Sequence, residues 1–384
     1  MTIYTLNIQS TILSACSKQR LTIEQATGDL VRGGVINIKL NELITDKHYM
    51  SVSDSVHQKL YQIEELDYRT KIIIMPDVVD FKGAAAYAGL YGNTMWVKDK
   101  YASFPMVQVH EYGHLLGQHH SGTNEFTRNK NPYGDDNGHM GNALPWTDEG
   151  SHTCFNPAKM WYFKWFELRH IEINPTEKPF KNNLASHDDV IKNRAIQGDK
   201  MIVRVKGDNN EFFIMYNRAK GVNRDAVGDR DKIVVTKQNS ESSVSWAQAG
   251  LDQGEEWTYN NFAKSGKTLV VKNCFTSSFN GNDRAMILIY IRGLNDQQCS
   301  DGPSDFIPSS PTVSPTKAPT KAPTMAPTKA PVSSCLDKEG WYDNGGPQYN
   351  CEWYAKSANY CRLFGHKFEN FDTTANTACC ACKQ

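Results

Sequence analysis

Short runs in which apolar residues recur every second position fill much of the chain after residue 175. Examples are Met201-Ile202-Val203-Arg204-Val205, Phe212-Phe213-Ile214-Met215-Tyr216 and Met286-Ile287-Leu288-Ile289-Tyr290-Ile291. They predict a β-sandwich-like domain over residues 175–299. Gly34-Val35-Ile36-Asn37-Ile38-Lys39-Leu40 alternates in the same way and predicts a strand, and Lys71 to Val79 reads as a buried strand. Two stretches read as helices. Ser103 to Val109 looks like a helix start, with Ser103 as N-cap and Pro105 in the first turn, where a missing N–H is harmless. Asn156 to His170 is amphipathic and rich in aromatics, with Pro157 in its first turn.

The first of these helices carries the chemistry. Residues 110 to 120 read His110-Glu111-Tyr112-Gly113-His114-Leu115-Leu116-Gly117-Gln118-His119-His120, which fits H-E-x-x-H-x-x-G-x-x-H. At 3.6 residues per turn His110 and His114 share one helix face, while Glu111 is rotated roughly 100° about the axis and can face a water beside the metal. A continued helix would carry His120 away from that face. Gly117, free to enter the left-handed region, is expected to end the helix and return His120 as the third ligand, leaving His119 outside the set. His110, His114 and His120 are thus the candidate Zn²⁺ ligands and Glu111 the candidate general base. Five fixed positions at these offsets occur by chance in a chain of this length with probability on the order of 10⁻⁵.

Downstream, Met140 stands in Tyr133-Gly134-Asp135-Asp136-Asn137-Gly138-His139-Met140-Gly141, a Gly- and Asn-rich segment suited to a sharp turn. A rival third ligand is Glu149. The acidic run Asp135-Asp136-Asn137-Gly138 has no distal glutamate to complete a calcium loop and reads as a solvated turn.

The core Val109 to Gly117, the pair Met140-Gly141 and the run Cys154-Phe155-Asn156-Pro157-Ala158-Lys159 together resemble the gametolysin (autolysin) family of secreted algal metzincins, over roughly residues 70 to 300. The resemblance implies an α+β metzincin-like catalytic domain, zinc on His110, His114 and His120, Glu111 as base and Met140 in the structural turn beneath the metal. It also implies hydrolysis of peptide bonds in matrix or cell-wall proteins and glycoproteins. The tyrosine that some metzincins place two residues after the methionine is here Asn142, and Tyr133 reads as structural. Relatives lay an extended substrate beside an edge strand, for which Gly83 to Trp96 is the expected segment.

Forty-two basic and 42 acidic residues leave no net charge and are interspersed, which argues against nucleic acid as a partner. The longest apolar runs are too short to span a bilayer. Of ten cysteines, six (Cys335, Cys351, Cys361, Cys379, Cys380 and Cys382) lie in the last fifty residues, a density that implies disulfides and an oxidising compartment. A zinc knuckle is the rival reading there. Cys16, Cys154, Cys274 and Cys299 allow two further bridges, or leave Cys16 as an inhibitory thiolate. No signal peptide is visible at Met1, so secretion rests on the cysteines.

The expected layout is an N-terminal segment 1–60, either a propeptide remnant or the start of the catalytic domain, then a zinc peptidase domain 61–174 and the β-rich domain 175–299. A Pro/Thr/Lys/Ala linker 300–334 and a cysteine-rich module 335–384 follow. The module's aromatics are expected to be exposed and to bind a wall or matrix polymer. The competing functional class is an adhesion protein that keeps the peptidase fold without activity.

Overall fold

The alternating runs pair into two large sheets, and the segment before the zinc motif pairs into a third. In the computed structural model of the protein the described residues are 12–23, 35–61, 70–123, 125, 128–142, 152–207, 209–239, 243–279 and 281–299, with 337, 338, 340–343, 349–355, 361, 370 and 373–382 towards the C-terminus. The chain divides into two compact units, Met1–Ser309 and Ser310–Gln384. The fold is mixed α+β with a disulfide-rich C-terminal region. The expected linker 300–334 lies outside the described residues.

The smallest sheet holds β1 (Lys71–Met75), β2 (Ala86–Ala88) and β3 (Thr94–Lys98) in the order β1-β3-β2. β1 runs parallel to β3, and β2 lies antiparallel to it at the edge. The strand expected to reach Val79 stops at Met75, because Pro76 has no N–H for the ladder and Pro76 O instead accepts from Val79 N in a turn. Helix α1 (Tyr49–Leu60) packs Val52 and Val56 onto Ile73, Met75, Val79 and Phe81. The strand expected over 34–40 does not form at residues 36–40, which instead lay Ile38 and Leu40 against this cluster.

Six strands make the central sheet, in the order β4-β10-β9-β8-β7-β5. They are β4 (Ser121–Gly122), β5 (His170–Ile173), β7 (Ile202–Lys206), β8 (Asn210–Asn217), β9 (Lys232–Asn239) and β10 (Ser245–Leu251). A third sheet orders β11 (Glu256–Phe262), β12 (Lys267–Phe279), β13 (Asn282–Ile291) and β6 (Phe180–Ala185) as β11-β12-β13-β6. Leu184, Val203, Phe212, Ile214, Val235, Leu269, Ile287 and Ile289 interleave between these two sheets, the sandwich core expected from the period-two runs. The central sheet is covered on its other face as well. Phe213, Met215 and Val234 point away from the sandwich core into a second cluster with Val109, Met140, Phe155 and Met160. That two-sided burial explains why β8 reads Phe-Phe-Ile-Met-Tyr with no polar face.

The division expected between residues 174 and 175 is therefore not a division of the structure. β4 and β5 come from the expected peptidase stretch, yet both are strands of the sheet that the later residues build. The N-terminal residues join the same core: residues 12–16 are helical, Ile12, Leu13 and Cys16 sit in the cluster with Met140, and Cys16 is disulfide-bonded to Cys154. Cys274 pairs with Cys299. The inhibitory-thiolate reading of Cys16 is overturned by its bridge.

The helix expected over Asn156–His170 is shorter: α3 spans Pro157–Phe163, with the Asn156 side chain accepting from Lys159 N. Lys164 takes the left-handed conformation (φ 56°) and ends it, which turns Trp165 and Phe166 into the core. Helix α4 (His187–Ile191) follows β6.

In the C-terminal unit, α5 (Cys351–Ala355) and α6 (Ala375–Ala378) are stapled by Cys351–Cys379 and Cys361–Cys382, and Cys380 is also disulfide-bonded. These bonds overturn the zinc-knuckle reading. Trp341 and Tyr354 are 2% and 1% exposed and form the small core rather than a binding face, with Tyr354 Oη donating to Asp343. A unit this small has few other apolar side chains with which to fill its interior.

Candidate metal centre

Helix α2 (Pro105–Leu115) presents the motif. Pro105 is its first residue, so the capping position falls to Phe104, which makes no side-chain cap, and Ser103 stands one residue further out than expected. At the other end Gly117 has φ +83°, Gly117 N donates to His114 O at 2.8 Å and Gln118 N to Gly113 O at 2.9 Å. This is the paired hydrogen-bond pattern of a helix closed by a left-handed glycine. The chain reverses there as expected and returns His120 to the face of His110 and His114.

The three rings converge. One ring nitrogen from each of His110, His114 and His120 lies within 4.8 Å of the others, and among the described residues no other group of three His, Cys, Asp or Glu side chains does so. His114 Nε2 and His120 Nε2 are 3.1 Å apart. Two nitrogens bound at about 2.05 Å to one tetrahedral ion would be separated by roughly 3.3 Å, so the spacing can accommodate a metal ion.

The tautomers follow from backbone contacts. His110 Nδ1 is 2.6 Å from His139 O, and His114 Nδ1 is 2.7 Å from Gln118 O. A carbonyl can only accept, so each Nδ1 carries the proton and each Nε2 keeps its lone pair for a metal. Burial, together with His114 and His120, lowers the His110 pKa to about 3. Burial first and His114 next bring His120 to about 4, and His114 is also lowered, chiefly by burial. All three rings are therefore neutral near pH 7, the form that ligates.

Glu111 is 6% exposed, and its Oε2 is buried without a hydrogen-bond partner. Burial pushes its carboxyl up to about 8. An unpartnered buried carboxylate is costly, and it is retained where a water or substrate atom completes it. It opens on a cleft of about 580 Å³ lined by Gly83 to Ala88, Leu90, Met106, Val107, Tyr133 and the three histidines, with His119 and Asn142 also present. The edge strand β2, within the segment Gly83 to Trp96 expected to hold one, lies along this cleft. Tyr133, read as structural, sets its ring 4.1 Å from the His120 ring and lines the same cleft.

Met140 is 1% exposed, in a tight turn where Gly141 N donates to Gly138 O at 3.0 Å, and its carbonyl accepts from Ser121 N at 2.7 Å. In the acidic run before it Asp135 and Asn137 are buried rather than solvated, and Asp136 is half-buried. Asp135 is wholly buried, accepting from Ser121 Oγ (2.6 Å), Asn156 Nδ2 (2.8 Å) and Asn137 N (3.0 Å), which ties the turn to α3 and β4. The rival ligand Glu149 lies outside the described residues.

No protein-family model, curated protein or solved structure matches this chain. The assignment of the site accordingly rests on geometry and donor chemistry. His139 and Gln118 act through their carbonyls, a role any residue type could fill, so no side-chain signal marks them in the sequence. Ser243 and Lys159, which grip the loop bearing His120, are likewise visible only after the β-rich half has folded onto α2.

Proposed function

We propose that the chain is a metzincin-type zinc endopeptidase related to the gametolysin family, acting on extracellular matrix or cell-wall proteins. The observation that carries this reading is the convergence of His110, His114 and His120 beside the unpartnered carboxylate of Glu111 in an open cleft. Disulfides in both units support an oxidising compartment. The β2 edge along the cleft supports an extended polypeptide as the substrate, which could add to the sheet as a further strand.

Bound on the three imidazoles, zinc supplies Lewis acidity and lowers the pKa of a water from 15.7 to about 7. The protein's own groups perform the proton transfers. Glu111, which lines the cleft beside the three rings, takes the proton of the attacking water and returns it to the departing amine. The carbonyls of His139 and Gln118 hold the ligand rings in one tautomer throughout. The small side chains of Ala84, Ala85, Ala86 and Ala88 leave room for a peptide backbone to approach.

The test is digestion of a peptide library by the full chain, with metal analysis. Cleavage that a chelator abolishes and zinc restores, at one zinc per chain, is expected. A zinc-loaded chain that cleaves nothing would leave only the adhesion reading.

A further inference from the structure

The loop from Gly117 to Ser121, which returns His120 to the face of His110 and His114, is held by residues well beyond it in the chain. Ser243, 124 residues beyond His119, accepts from His119 N at 3.1 Å through its Oγ, and the same Oγ donates to Gly117 O at 3.3 Å. Ser245 N donates to His120 O at 3.3 Å, and Ser245 Oγ lies 2.7 Å from Ser121 Oγ. The ammonium of Lys159, a wholly buried residue of α3, donates to His120 O at 3.4 Å and to Ser243 O.

All but the Lys159–Ser243 contact fall on the loop itself. A loop two residues past a left-handed glycine has no helical ladder to fix it, so the direction of His120 is set by what grips its backbone. Ser243 bridges Gly117 and His119 with a single hydroxyl, and Lys159 ties Ser243 O to the carbonyl of His120.

We infer that Ser243, secured by Lys159, is the positioning residue for the third metal ligand, so that the β-rich half of the unit presents His120 to the site. The inference rests on the metal-centre reading above. It makes metal affinity, and not only fold stability, sensitive to a hydroxyl in the β9–β10 connection. Loss of a partner that orients a ligand typically weakens metal binding 10- to 100-fold.

The experiment uses the full chain and measures zinc affinity by chelator competition, together with the visible d–d absorption of the Co²⁺-loaded protein. Ser243→Ala is expected to weaken zinc binding about 10- to 100-fold and to shift the cobalt spectrum towards that of His120→Ala, while Ser243→Thr, which keeps the hydroxyl, restores both. Lys159→Met is expected to act in the same direction. By charge alone, removing an amine near the centre would strengthen cation binding, so weaker binding reads out position. A parent chain that takes up no zinc overturns the metal centre and this inference with it. A parent that binds zinc, with Ser243→Ala and Lys159→Met binding as tightly and giving the parent cobalt spectrum, overturns the inference alone.

Discussion

The thioether of Met140 occupies the space that a side chain on Gly113 would need. A Cβ at Gly113 would lie 2.2 Å from Met140 Sδ and 3.3 Å from Phe155 Cε1. Gly113 sits between the two helical ligands, so its missing side chain lets the Met140 turn press directly against α2.

Replacing Gly113 tests that contact. In an open helix, alanine would stabilise by about 1 kcal/mol over glycine. Here overpacking is expected to reverse the sign, with Gly113→Ala destabilising by roughly 1–3 kcal/mol in urea unfolding. Adding Met140→Ala should recover part of that loss, and a double variant no better than the sum of the singles would show that the two residues do not compete for space.

Gly117→Ala is expected to cut zinc affinity. Its φ of +83° is strained for alanine, and the new Cβ would stand 2.1 Å from Tyr91 Cε1. Gly89, with nothing within 4 Å of its built Cβ, provides the control. Equal zinc affinity of Gly117→Ala and Gly89→Ala would contradict the role given to the left-handed turn.

The separation of ligand from base predicts a split between two variants. Glu111→Gln should retain stoichiometric zinc and lose hydrolysis by several orders of magnitude, because only the proton carrier is removed. His114→Ala should lose both metal and turnover. The two measurements are zinc per chain and peptide cleavage, and equal zinc occupancy in the two variants would rule out His114 as a ligand.

Acid should destabilise this protein in part through a buried histidine outside the His110–His120 motif. His187 is 2% exposed, packs edge-on against Phe166 and donates from Nε2 to Cys16 O. Burial holds its pKa down at about 4, below the ordinary 6.5. A histidine depressed in the folded state contributes stability that is whole above pH 6.5 and is lost as pH falls towards 4. The loss is of order 3 kcal/mol. His187→Gln should flatten the fall in unfolding free energy between pH 7 and 4, and an unchanged slope would place the proton uptake elsewhere.

The bridge Cys16–Cys154 closes a separation of 138 residues. Constraint of the unfolded chain over that span is worth about 5 kcal/mol in the loop-entropy account, and native bridges typically contribute ~2–5. The double variant Cys16→Ser/Cys154→Ser should lower the melting temperature more than Cys274→Ser/Cys299→Ser, whose loop of 25 residues is worth about 3.5 kcal/mol in the same account.

Much of the candidate metal centre was legible from residues 105 to 120 alone, because helical geometry acts over a turn. The offsets place His110 and His114 on one face and Glu111 beside it, and Gly117 is the residue able to reverse the chain. Short apolar runs likewise marked β7, β8 and β13, since strands of that length buried in a sheet carry few polar side chains. Local pattern could not say that β4 and β5 join the sheet built by later residues, that the acidic turn at Asp135 is buried, or that Trp341 and Tyr354 fill a core. Nor could it pair Cys16 with Cys154 or bring Tyr133 against His120 and Ser243 against the ligand loop. Those outcomes depend on which surfaces pack together, and burial and hydrogen bonding between residues beyond one element's own span leave no period in the chain to be read.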